Sequence, residues 1–233
     1  MTALCALPEG VDAAPDRTAA QQALLAWVGG VIAGPDESRP PLFILTGRPG
    51  GGKTHFATRL VESLTAEAVA KMANCAGCGG TGWQSRLAPA TGHMVASHCG
   101  CCAILRPCLL PVLSPLDGGR AGLADLLHDE AQYDMDARSA ARMALARYAS
   151  TRLLVLDEFG GERDGQATYP AGLLRLLDAR AKRSTLIITN LSTKEIAARY
   201  EPRIVSRLLG EGFSAVAQYG TTDWRRIPKA GKK

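Results

Sequence analysis

No apolar run in this sequence approaches the length of a membrane span, and residues 1–20 lack a basic start followed by a hydrophobic stretch. The first absence argues against a helical membrane protein and the second against a secreted one, so a cytoplasmic chain is expected. There is no internal repeat of useful length and no low-complexity block, which sets aside repeat architectures and long linkers. Charge of one sign is not in large excess. The net charge of +5 permits an anionic partner such as nucleic acid without demanding one. Hydrophobic residues at 46% and charged residues at 21% are an ordinary globular mix rather than a disordered one. A length of 233 residues suits one α/β domain with a small appended module.

Apolar runs and helical periodicities alternate along the chain. Asp16 sits where an N-cap would, and Ala20, Leu24, Trp27, Val28 and Val31 follow at helical spacing until Gly34-Pro35. Leu42–Thr46, Leu109–Leu113, Leu153–Leu156 and Thr185–Thr189 read as buried strands, and Phe213–Gln218 as a last one. Helices are expected from Lys53 to about Met72, over 121–130 and 136–149, over 169–181, from Thr193 with Ser192 or Thr193 as cap, and over 202–209. This alternation predicts an α/β fold, a mostly parallel sheet flanked by helices. Residues 74–108 break the rhythm with cysteines, glycines and few periodic apolar positions.

The segment Gly47-Arg48-Pro49-Gly50-Gly51-Gly52-Lys53-Thr54 follows the first strand and opens a helix. Its spacing, G-x-x-x-x-G-K-T, has a mechanical meaning. Glycines let successive backbone N–H groups turn inward on phosphates, and the helix start adds its positive end. Gly47, Pro49, Gly50, Gly51, Gly52, Lys53, Thr54 and His55 are the expected contacts to ATP, with Lys53 on the terminal phosphates and Thr54 on Mg²⁺.

Such a loop needs an acid for the metal and a base for water. Leu153–Leu156 runs directly into Asp157-Glu158, so Asp157 is expected at Mg²⁺ and Glu158 beside the attacking water. The alternative is a surface turn with two solvated acids. Asn190 ends the next apolar run; its amide would hold the water near the γ-phosphate or simply begin a turn.

The order phosphate loop, strand-Asp-Glu, strand-Asn resembles the AAA+ ATPases. Within them, Arg203-Ile204-Val205-Ser206-Arg207-Leu208-Leu209, Asp157-Glu158-Phe159-Gly160 and Thr189-Asn190-Leu191 are similar to segments of DnaC-type helicase loaders and the related transposition helper IstB. The resemblance covers about residues 20–220 apart from the cysteine segment. It implies an AAA+ core over 41–220; the sequence departs from DnaC-type loaders in having an N-terminal segment and helix over 1–40 where they carry a separate helicase-gripping domain. It also implies a homo-oligomer in which Arg207, supported by Arg203, completes the neighbour's site. The alternative for Arg203 and Arg207 is an exposed helix face pairing with Glu201 or Glu211. No helical lid is expected after Gln218; 221–233 reads as a basic tail, either a solvated end or a phosphate contact.

Six of the seven cysteines lie between Cys75 and Cys108. In a reducing compartment they are expected as thiols or metal ligands. Cys75, Cys78, Cys99 and Cys102 have the spacing C-x₂-C-x₂₀-C-x₂-C, close to structural zinc sites, so residues 74–108 are expected to be a Zn²⁺-binding insertion. Cys101, His98 or Cys108 could replace a ligand, and an iron–sulfur cluster or free thiols are the alternatives. The opening C-x-x-C-x-G-x-G resembles zinc modules of DnaJ type. Trp83 would stack on a base or pack beside the metal.

The resemblance implies an ATPase that assists a replicative helicase onto single-stranded DNA, or an IstB-like helper with a transposase as client. A P-loop kinase and a non-hydrolytic ATP-dependent scaffold are the alternatives from other classes.

Overall fold

The computed structural model describes residues 15–33, 39–79, 83–87, 94–98, 108–111, 122–131, 134–161 and 169–220. Strand β1 (Leu42–Thr46) is followed by helix α2 (Lys53–Ala73), and helix α1 (Pro15–Ala33) precedes both. Then come β2 (Trp83–Leu87), β3 (Met94–His98), β4 (Cys108–Pro111), α3 (Leu123–Ala131), α4 (Met135–Ser150) and β5 (Leu153–Phe159). The chain continues through α5 (Tyr169–Ala179), β6 (Ser184–Thr189), α6 (Thr193–Arg199), α7 (Pro202–Leu209) and β7 (Ser214–Gln218).

Five strands form one sheet in the order β4-β5-β6-β1-β7, and every pairing in it is parallel. Because side chains alternate across a strand, each apolar run divides between two cores. Phe43 and Leu45, Leu153 and Val155, and Leu186 and Ile188 face α1 and α2, against Trp27, Phe56, Leu60 and Leu64. Leu42 and Ile44, Leu154 and Leu156, and Ile187 face the other layer, where α3, α4, α5, α6 and α7 pack. Burial on both faces is the reason these strands read as continuous apolar runs rather than alternating ones. Among the described residues no helix is long and apolar enough to cross a membrane.

The phosphate loop leaves the end of β1, which lies between β6 and β7, and the chain next enters this sheet at β4 on its far edge. The strand that bears Asp157 is one strand removed from β1, with β6 between them. Arg180, 2% exposed, closes the opposite end. Its guanidinium donates to Tyr148 O at 2.7 Å, Ala149 O at 3.2 Å and Thr151 O at 2.8 Å, carbonyls that the end of α4 leaves without helical partners. It also donates to Thr185 Oγ1 at 2.8 Å and to Ser184 O, which ties α4 to the start of β6.

Several expectations change. Helix α1 begins at Pro15, so Asp16 lies inside its first turn rather than capping it, and proline suits that first position. Strand β5 does not stop at Leu156 but continues through the acid pair to Phe159. The cysteine-rich segment contains an antiparallel hairpin of β2 and β3, which its weak periodicity did not announce. Its register pairs Trp83 with His98. Cys75 is half-buried and Cys78 buried in a turn where the Cys78 and Gly79 N–H groups donate to Cys75 O at 3.4 and 2.9 Å. His98 closes β3 and Cys108 opens β4. Cys99, Cys101 and Cys102, residues 1–14 and the basic tail lie outside the described residues.

Candidate nucleotide site

Lys53 and Thr54 stand at the first turn of α2, where the phosphate loop meets the helix start. Gly47 is a glycine because of its neighbour: a Cβ there would collide with the carbonyl oxygen of Tyr219. Tyr219 in turn donates its N–H to Thr46 O at 2.7 Å, and its hydroxyl accepts from Gln21 Nε2 of α1 at 3.1 Å. The buried Tyr219 ring stacks on Phe56, so α1, α2 and the end of β7 all brace the loop.

The loop opens on a cleft of about 320 Å³ lined by Pro49, Gly50, Gly52, Lys53, Thr54 and His55 on one side. Asp157, Glu158, Ile188, Thr189 and Asn190 line the other. Lys53, 5% exposed, donates from Nζ to Gly47 O, Arg48 O and Asn190 Oδ1 at 2.8, 2.9 and 2.8 Å. Thr54 Oγ1 donates to Asp157 Oδ1 at 3.1 Å. Two hydrogen bonds, one to each strand end, thus join β5 and β6 to the loop and its helix.

A bulge interrupts β5 at Asp157 and Glu158. Leu156 pairs with Ile187 but Phe159 pairs with Thr189, so β5 carries an extra residue against β6 here. Glu158 takes the left-handed conformation, φ 59°, that a non-glycine residue rarely adopts. It is held there at both ends: its N–H donates to Asp157 Oδ1 at 3.0 Å and its carbonyl accepts from Gly161 N at 2.9 Å. Asp157 is buried and Glu158 exposed. Backbone strain of this kind persists where the surroundings over-determine it, and it falls here at the cleft wall.

Burial pushes the Asp157 carboxyl above the usual carboxylate range, outweighing the hydrogen bonds from Thr54 and Glu158 N–H and the Lys53 charge that pull it down. A buried carboxylate beside a hydroxyl is an oxygen donor set that fits Mg²⁺, whose charge would offset the desolvation. Without metal, the raised acid works against folding: the unfolded chain loses its proton first, so stability falls as pH rises from the ordinary carboxylate value through the raised one. The full penalty is present above the raised value. Asp157→Asn, which keeps an Oδ1 acceptor, is therefore expected to raise the melting temperature at pH 7 without Mg²⁺ or nucleotide. A lowered melting temperature would mean that the lost charge interactions outweigh burial.

Asn190 is positioned by two threonines that the sequence reading passed over. Thr189 Oγ1 donates to Phe159 O at 2.7 Å and accepts from Leu191 N at 3.0 Å; Thr46 Oγ1 donates to Leu191 O at 2.7 Å. The available signal was a hydroxyl residue closing each apolar run. Gly160 lets Leu191 lie against the Asp157-Glu158 turn, since a Cβ would strike the Leu191 side chain.

The structure does not bring every expected residue together. Arg203 and Arg207 lie on α7 and do not line the cleft of their own chain. Arg207 pairs neither with Glu201 nor with Glu211: its Nε donates to Asp178 Oδ1 of α5 at 2.7 Å. Sequence spacing along one helix could not find a partner on another. Among the described residues no group of three or more His, Cys, Asp or Glu side chains is placed to hold a metal ion.

The sheet order, the loop and the acid-bearing strand define a P-loop fold, a parallel sheet flanked by helices. The fold is shared with DnaA from Aquifex aeolicus bound to AMPPCP, at TM-score 0.54 and 13% identity over 91% of this chain and 48% of that one. It is shared also with the DnaC helicase loader, at TM-score 0.51 and 16% identity over 92% of this chain and 96% of that one. DnaI gives TM-score 0.50 and 14% identity over 94% and 90%. The chain spans about half the length of the DnaA structure. No protein-family model matches the sequence, and comparison with curated proteins finds no match.

Proposed function

We propose that this chain binds Mg·ATP in the cleft between the phosphate loop and the ends of β5 and β6, hydrolyses it, and serves DNA replication by assisting a replicative helicase onto single-stranded DNA. The observation that carries the ATPase reading is the convergence of Lys53, Thr54, Asp157, Glu158 and Asn190 on one cleft. Lys53 would neutralise the terminal phosphates, and Thr54 and Asp157 would hold Mg²⁺, which supplies charge stabilisation of the transferred phosphoryl group. Glu158, exposed on the cleft wall, would take the proton of the attacking water, and Asn190 would orient that water. Arg207, with Arg203 beside it, would complete the site of a neighbouring subunit in a homo-oligomer. The loader reading is supported by fold likeness to the DnaC helicase loader along nearly the whole of both chains. The zinc reading of Cys75, Cys78, Cys99 and Cys102 belongs to the same proposal and rests on their spacing in the sequence.

The test is phosphate release with and without single-stranded DNA, on protein whose metal content has been measured. The expected result is hydrolysis stimulated by DNA and about one zinc per chain. Transfer of phosphate to a small acceptor would point to a kinase, and zinc-free folded protein would remove the insertion site.

A further inference from the structure

Asp178 lies in the last turn of α5, where the negative end of the helix disfavours an acid. It therefore does nothing for its own helix. What it does contact is Arg207, across helices, through a single bond from Nε at 2.7 Å, with both side chains about half exposed.

The geometry points to Asp178 as the positioning residue for Arg207, an inference that rests on the subunit-coupled reading above. A guanidinium is a planar fork, and fixing Nε fixes the plane while leaving both terminal amino groups. Among the described residues Arg207 makes no other hydrogen bond or ion pair. Two parallel donors thus remain for two oxygens of a phosphate presented by a neighbouring chain. An unrestrained arginine of the same exposure would have to surrender its rotamer freedom at the moment of reaction. Asp178 also offsets the like-charge repulsion between Arg203 and Arg207, which stand one turn apart on the exposed face of α7. An exposed ion pair contributes little to folding, so removing it leaves the chain intact for assay.

The experiment uses mixed subunits. Asp178→Ala alone is expected to lower turnover about tenfold, with nucleotide affinity unchanged. Asp178→Asn, whose amide oxygen still accepts from Nε, should restore most of the rate. Asp178→Ala/Arg207→Ala should be no slower than Arg207→Ala. The decisive readout is rescue: Lys53→Ala subunits, inactive but carrying an intact Asp178–Arg207 pair, should restore turnover to Asp178→Ala subunits. A merely structural defect stays in its own chain and would not be rescued. Parent-like turnover by Asp178→Ala, or absence of rescue where Arg207→Ala subunits are rescued, overturns the role of Asp178 alone. Parent-like turnover by Arg207→Ala overturns the subunit-coupled reading and this inference with it.

Discussion

Glu158→Gln is expected to lower ATP turnover by about 10²- to 10⁴-fold, the range for loss of a general base, while nucleotide affinity stays within about twofold of the parent. Glutamine keeps the length and the hydrogen-bonding oxygen of the side chain but cannot take a proton from water. Nothing in the phosphate cradle depends on the Glu158 charge: Lys53 is held by Gly47 O, Arg48 O and Asn190, and Thr54 by Asp157. The bulge is held by backbone groups and the Asp157 carboxylate, with no part taken by the Glu158 side chain, so the variant should preserve it. Single-turnover hydrolysis beside a fluorescent-nucleotide titration separates the two effects. Retained turnover would remove Glu158 from the chemistry and leave Asp157 as the acid to reconsider.

Arg180→Ala is expected to lower folding stability by about 3 kcal/mol, because several buried carbonyls lose their donor at once. For a chain of this size that is a fall of roughly 6–12 °C in melting temperature. Arg180→Lys should recover little, since one ammonium cannot serve the end of α4 and the start of β6 together. A melting temperature within about 2 °C of the parent would show that water replaces the guanidinium at no great loss. The effect matters for the site because Arg180 anchors the start of β6, whose other end presents Asn190.

Much of the core was legible because burial on two faces leaves a simple mark. Leu42–Thr46 and Pro202–Leu209 coincide with their expected bounds, and the runs before Asp157 and Asn190 are the strands that bring those residues to the cleft. The hairpin of β2 and β3 left no such mark, because its residues carry little alternation. Arg180 also escaped notice: charged residues are normally exposed, and nothing local shows that carbonyls from two distant segments will converge on one guanidinium.

The sequence by itself determined the phosphate loop, since glycine, lysine and threonine at that spacing act through the backbone within eight consecutive residues. It also placed an acid pair and an amide directly after apolar runs. Only the tertiary structure decided how these meet. The bulge at Asp157 and Glu158 depends on the register with β6, and the bracing of Gly47 depends on Tyr219 arriving from β7. The partner of Arg207 depends on the packing of α7 on α5. Each of these is a contact between segments far apart in the chain, and local spacing carries no information about such contacts.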